Sequence, residues 1–171
     1  MSLKPLSTPR HVLADATDTW REVAPQEHSL LAAIAVFRNE PIKGVSLRPI
    51  NGLTAQITFY QANGGEVLRV NYGTWSGDPY NHVSLAVGGT RELLIALDHP
   101  RASPYAIENT RSRPGDYEHE GSRERPLARG LYDVNVQLIG SAATMGDVLD
   151  NFHFTLDLRG EAPILKRDWT R

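Results

Sequence analysis

The sequence predicts an all-β protein built as an antiparallel sandwich of two sheets. Three observations carry that expectation. Tyr132, Val134, Val136 and Leu138 alternate with Asp133, Asn135 and Gln137, and Phe152, Phe154, Leu156 and Leu158 alternate with His153, Thr155 and Asp157, the two-residue period of half-buried strands. Turn residues such as Asn63-Gly64-Gly65 and Gly88-Gly89 punctuate the chain between most of its short apolar runs. No regular alternation of helical and strand patterns is present, which disfavours a parallel α/β sheet.

Residues 1–26 mix Pro5, Pro9 and Pro25 with scattered charge and read as an extended N-terminal arm with one short strand, anchored by Val12, Leu13, Trp20 and Val23. The sandwich domain is expected over 27–160. Its first run, Leu30 to Phe37, contains good helix formers, yet it is short and ends in the Asn39-Glu40-Pro41 breaker. The β context decides for a buried strand over a helix. Val45 to Leu47 is a short strand halted near Pro49, and Asn51-Gly52 signals a turn.

Leu53, Ala55, Ile57 and Phe59 then share one face of a strand, with Thr54, Gln56, Thr58 and Tyr60 on the other. Asn63-Gly64-Gly65 turns the chain into a strand over Val67 to Tyr72, followed by a glycine-punctuated loop to Asn81. Val83, Leu85 and Val87 alternate, Gly88-Gly89 turns, and Leu93, Ile95 and Leu97 alternate again, which reads as a hairpin. Residues 98–126 form a long polar stretch with Pro100, Pro104, Pro114 and Gly115 and no sustained period. Such a loop is expected either to be a solvated or disordered excursion or to serve function. Residues 161–171 read as a C-terminal tail anchored at most by Ile164, Leu165 and Trp169.

A chain of 171 residues is long enough for one substantial core, and its 40% hydrophobic and 22% charged content is that of a soluble globular domain. A formal net charge of −2 removes the electrostatic drive toward nucleic acid. Without cysteine there are no disulfides, thiolate metal sites or cysteine nucleophiles. The longest apolar run is too short to cross a bilayer and no targeting segment is visible, so no membrane insertion is expected. Compartment stays open between the cytoplasm and, if a leader has been removed, an extracytoplasmic location.

Val36-Phe37-Arg38-Asn39, the segment from Val83 through Gly88-Gly89-Thr90 to Leu93, and Pro126-Leu127-Ala128-Arg129-Gly130-Leu131-Tyr132-Asp133-Val134 follow one another in an order that is familiar. This order resembles immunoglobulin-like and fibronectin-type-III-like modules of bacterial proteins, over roughly residues 30–159. The resemblance implies an immunoglobulin-like topology, an Asn closing the early strand, and a Tyr132 hydroxyl bonded to upstream backbone. It also implies the role of a spacer, adhesion module or accessory domain, with no catalytic residue to carry over. The long 98–126 insertion departs from such compact modules.

Two clusters are candidate ligand surfaces. Tyr72, Trp75, Tyr80 and His82 gather in one loop, and amphipathic aromatics beside amides suit a sugar ring or a peptide. The competing reading folds Trp75 back as a cap on the core. The outward polar positions Tyr60, Asp133, Asn135, His153 and Asp157 form the second cluster. Placing Leu138 opposite Phe152 sets Asp133 against Asp157, and two facing carboxylates need an arginine, a cation or a shifted register to relieve them. A plain solvated face is the simplest reading of such a surface.

Classical chemistries find little support. The six histidines make no short chelate, and in Glu118-His119-Glu120 an extended backbone points the carboxylates away from the imidazole, so no metal or other cofactor is expected. Ser76 lacks the glycine spacing of a nucleophile elbow. Arg111, Arg113, Arg123, Arg125 and Arg129 are interleaved with Asp116, Glu118, Glu120 and Glu124, a zwitterionic stretch that is either solvated or a protein-docking segment.

The sequence therefore points to a non-catalytic accessory or protein-interaction domain whose partner is another protein or another domain of the same polypeptide, with the Trp75 loop and the Asp98 to Pro126 excursion as the expected contact surfaces. A homodimer through exposed edge strands is a further option. The alternatives are a carbohydrate-binding module using Tyr72, Trp75 and Tyr80, with a glycan as partner, and a hydrolytic enzyme with acids around Asp133 and Asp157.

Overall fold

A computed structural model describes residues 12–16, 21–22, 31–40, 49–98, 102–112, 122–140 and 147–167, with backbone alone at 12–16, 21–22 and 147–149. The strand expected at Val45 to Leu47, the Glu118-His119-Glu120 cluster, Arg113, and the anchors Trp20 and Trp169 lie outside the described residues. The described residues form thirteen strands and no helix. They are β1 (Val12–Ala16), β2 (Arg21–Glu22), β3 (Leu31–Asn39), β4 (Ile50–Gln61), β5 (Glu66–Val70), β6 (Thr74–Trp75), β7 (Val83–Leu85), β8 (Thr90–Asp98), β9 (Tyr105–Asn109), β10 (Ser122–Pro126), β11 (Leu131–Gly140), β12 (Asp147–Asp157) and β13 (Ile164–Arg167). No helix among them is long and apolar enough to cross a membrane.

The strands pair antiparallel into two sheets that pack face to face, the expected β-sandwich. One sheet runs β1-β3-β8-β9-β10, with β2 also on β3 and β6 on β8; the other runs β13-β12-β11-β4-β5, with β7 also on β4. Between them lies a core in which Phe37 is central, its ring meeting the edges of Trp75, Phe152 and Phe154 at centroid distances of 6.1, 5.2 and 6.4 Å. Ile57, Val136, Leu138 and Leu156 are fully buried around this group. Such edge-to-face contacts add to the burial of large rings.

The strand chosen over a helix near Leu30 to Phe37 is β3, and its composition has a physical cause. Ala33, Ala35 and Phe37 face the central core, while Ala32 and Ile34 join Leu94 and Leu97 in a second apolar cluster on the outer side, with Val36, Tyr105 and Ile107 packed against it. A strand covered on both faces has no polar phase, so it reads as a continuous apolar run. β8 is built the same way, and a bulge between the Ala33/Ala96 and Ile34/Leu94 pairs moves Leu97 to the face opposite Ile95.

Three expectations are corrected. Residues 83–97 do not make a hairpin: β7 pairs with β4 in one sheet and β8 pairs with β3 in the other. Asn39 intervenes at the crossing. Its N–H donates to the Gly89 carbonyl, its carbonyl accepts from Gly88 N–H, and its side-chain amide donates to the Leu85 carbonyl. Alternation reports that both runs face a core, but not from which side.

Asn51-Gly52 is an irregularity within the β4–β7 pairing rather than a turn, with Gly52 at φ 60°. The stretch 98–126 contributes the β9–β10 hairpin, whose cross-strand pair Arg125–Glu108, at 3.1 Å, hides strand character behind charge. In the terminal segments, strands also pair onto the two sheets. β1 pairs along β3, and β13 pairs along β12 with Leu165 opposite Leu156 and fully buried.

Candidate functional site

The second sheet turns its inner positions into the core and presents rows of polar side chains outward, as β4, β11 and β12 each alternate. Tyr60 stands opposite Asp133, and Asp133 opposite Thr155. One pleat further, Thr58 stands opposite Asn135, and Asn135 opposite His153; Gln56, Gln137 and Asn151 make the third row. Cross-strand neighbours of this kind lie about 5 Å apart at Cβ, close enough to act on one ligand.

The anticipated facing of Asp133 and Asp157 does not occur. The β11–β12 register is displaced by two residues from the expected one, so Val136, not Leu138, stands opposite Phe152, and Leu131 opposite Asp157. A two-residue slip keeps every side chain on its face while separating like charges. Asp157 instead binds Arg159, whose guanidinium and backbone N–H both donate to it, at 2.9 to 3.0 Å. Those hydrogen bonds hold the Asp157 carboxyl below the usual aspartate range, against a smaller opposing effect of burial.

At the end of the polar face the β4–β5 turn rises as a wall. Gln61 N–H donates to the Gly65 carbonyl at 3.1 Å and Gly64 N–H to the Gln61 carbonyl at 2.8 Å. Asn63 adopts φ 59°, a left-handed conformation that asparagine tolerates better than most residues. A depression of about 400 Å³ lies beside this turn, lined by Tyr60, Asn63, Gly64, Asp133, Val134, Asn135 and His153. Four of the five outward residues singled out in the sequence thus come together here; Asp157 does not. Asn63 and Gly64 were legible only as a turn, and the signal that they border the site is their position directly after the Tyr60 strand.

Asn135 is the side chain at the centre of this arrangement. Its Nδ2 donates to Asn151 Oδ1 at 3.4 Å, while its Oδ1 is buried and has no hydrogen-bond donor among the described residues. A buried acceptor in that state is unusual.

The aromatic loop has a different fate. Trp75 is 1% exposed and packs in the core against Phe37, so the stacking platform expected of a sugar site is the core cap instead. Gly73 allows it: a Cβ there would meet Leu93 Cδ1 at 2.9 Å and Ile57 Cδ1 at 3.1 Å, where the chain crosses from β5 to β6. Tyr72 is 46% exposed, and Tyr80 stacks on His82 with rings 5.9 Å apart, so the four residues do not form one surface.

The rest of the loop is stitched to β9. Asn81 N–H donates to the Arg111 carbonyl, Asn81 Nδ2 to the Asn109 carbonyl and Asn109 Nδ2 to the Pro79 carbonyl, and His82 Nε2 lies 3.0 Å from the Ser112 carbonyl. The described residues contain no group of three or more potential metal-ligating histidines and acids. Comparison with protein-family models, curated proteins and solved structures finds no match to this chain.

Proposed function

We propose that this chain is a non-catalytic binding module of immunoglobulin-like topology that contacts another protein, or another domain of its own polypeptide, through the polar face of its second sheet. The observation that carries this reading is the convergence of Tyr60, Asp133, Asn135 and His153, from three adjacent strands, on one depression beside the β4–β5 turn. On the same face Asn135 Oδ1 is buried and has no donor among the described residues. The topology is supported by the β12-β11-β4-β5 order and by the Tyr132 hydroxyl, which donates to the Ala128 carbonyl in the manner of a tyrosine corner.

The hydrolytic alternative loses its paired acids, since Asp133 and Asp157 occupy different rows and Asp157 is held ionised by Arg159. A general acid needs the opposite shift. The carbohydrate alternative loses Trp75 as its platform.

Probing peptide and glycan arrays with the wild-type chain and with Asn135→Arg tests the reading. Binding to peptides that is lost in the variant, with its melting temperature unchanged, is the expected result. Turnover of ester, phosphate or glycoside probes that disappears in Asp133→Asn would overturn it.

A further inference from the structure

We infer that Asn63, in the β4–β5 turn, is a site of spontaneous covalent modification in the folded protein, converting to aspartate and isoaspartate through a cyclic imide, while Asn51 in the same dipeptide context is protected. This goes beyond the proposed contact and does not depend on it.

The chemistry starts in the sequence, where Asn-Gly occurs at Asn51-Gly52 and at Asn63-Gly64. In such a pair the glycine nitrogen attacks the asparagine Cγ. A C–N bond forms, the carboxamide nitrogen leaves as ammonia with the proton of the attacking N–H, and a cyclic imide results. Water then opens the imide at one carbonyl or the other. One opening gives aspartate; the other gives isoaspartate, whose main chain runs through the side-chain methylene. Glycine favours the attack because no Cβ crowds the approaching nitrogen. The step also requires the asparagine Cα–C bond to rotate until that nitrogen meets Cγ, so the fold decides between the two sites.

Asn51 and Asn63 are both exposed, so exposure does not separate them. Anchoring does. Asn51 lies between Ile50, paired with Leu85, and Leu53, paired with Val83, and all four of these side chains are buried at 3% exposure or less. Rotation at Asn51 would pull one of its flanks out of the core. The β4–β5 turn is held differently. Ala62 N–H donates to the Leu131 carbonyl at 3.2 Å, and beyond it the turn closes on Gln61, whose carbonyl accepts from Gly64 N–H at 2.8 Å and whose N–H donates to the Gly65 carbonyl at 3.1 Å. Asn63, Gly64 and Gly65 are exposed, and the space a Cβ would take at Gly65 is open. Opening this turn exchanges its hydrogen bonds for water, and exposed turns open at far lower free energy than strands flanked by core residues. Opening also frees Asn63 from its left-handed conformation, φ 59°. The product places a carboxylate among the residues lining the depression, where Asp133 already stands.

The test is peptide mapping by mass spectrometry of the full chain kept in mildly alkaline buffer, with and without urea, using electron-transfer fragmentation to separate aspartate from isoaspartate. In the folded chain Asn63 should convert about tenfold faster than Asn51, and the two rates should converge in urea, where neither dipeptide is anchored. Equal conversion at both sites in the folded chain, an Asn63 that stays intact while the urea sample converts, or a preference for Asn63 that urea leaves unchanged would overturn the inference.

Discussion

Replacing Trp75 with alanine discriminates most sharply between a core and a ligand role for the aromatic loop. The indole is 1% exposed and meets Phe37 edge-on at 6.1 Å. A buried tryptophan removes roughly 200 Å² from water, worth about 5 kcal/mol at 25 cal/mol per Å² before any collapse of the site. Trp→Ala substitutions in cores cost about 3–5 kcal/mol, and here the two sheets on either side leave little freedom to close the gap. Because Trp75 Nε1 has no hydrogen-bond partner among the described residues, the loss is one of packing, and Trp75→Phe should recover a large part of it. Urea denaturation followed by far-ultraviolet dichroism measures both variants. A Trp75→Ala loss below about 1 kcal/mol would refute the core placement, since it lies outside the range for a fully buried indole.

Three other outcomes are expected. Arg129 chelates the Asp98 carboxylate at 2.9 and 3.0 Å, and Asp98 is 1% exposed, so Arg129→Met should destabilise by about 2–4 kcal/mol, discounted for the open side of the guanidinium. The double change with Asp98→Leu should recover most of that in the same denaturation assay. Arg159→Ala should lower the melting temperature slightly at neutral pH and not at all in strong acid. A depressed folded-state Asp157 contributes stability above its unfolded value near 3.8, lost as pH falls through the lower folded one. Burial pushes the Tyr132 phenol above 10.0, so its contribution is complete below that pH and is lost as pH rises through the raised value. Tyr132→Phe should cost about 1 kcal/mol through the bond to Ala128 and flatten the alkaline loss seen in melts between pH 9 and 12 (on the order of the tyrosine range).

Strands with one wet face were legible because solvent imposes a polar phase: β4, β11 and β12 follow their alternation almost residue by residue. The outward set Tyr60, Asp133, Asn135 and His153 followed from that phase alone. β3 and β8 are covered on both sides, and a covered strand and a buried helix segment look alike in composition. β9 and β10 were hidden because their buried Glu108 is satisfied by Arg125 and by Asn71 N–H, partners far away in the chain. Register was invisible for a geometric reason. Moving β12 by two residues against β11 preserves every inward and outward assignment, and only pairing decides whether Asp133 meets Asp157 or Thr155. Trp75 was ambiguous because its burial depends on Gly73 admitting a crossing between sheets, which neighbouring residues do not announce.

Under the proposed reading, contact through the face rather than the edges is favoured by how the β5 and β10 edges are finished. Beyond β5, Asn71 N–H donates to Glu108 Oε2 and the Tyr72 carbonyl accepts from Asn109 N–H, which ties that margin to the opposite sheet. β10 is exposed but carries Arg123 and Glu124 and ends in Pro126, which has no N–H to offer an incoming strand. The outer side of β3 and β8 is apolar, yet Ala32, Ile34, Leu94 and Leu97 are already between 0% and 8% exposed. The polar side of β12-β11-β4-β5 is a surface where water can be displaced without opening the core. If that face is the contact surface, as proposed, Asn135→Arg should affect binding far more than stability, since Asn135 lies on the outward row of β11 beside the depression.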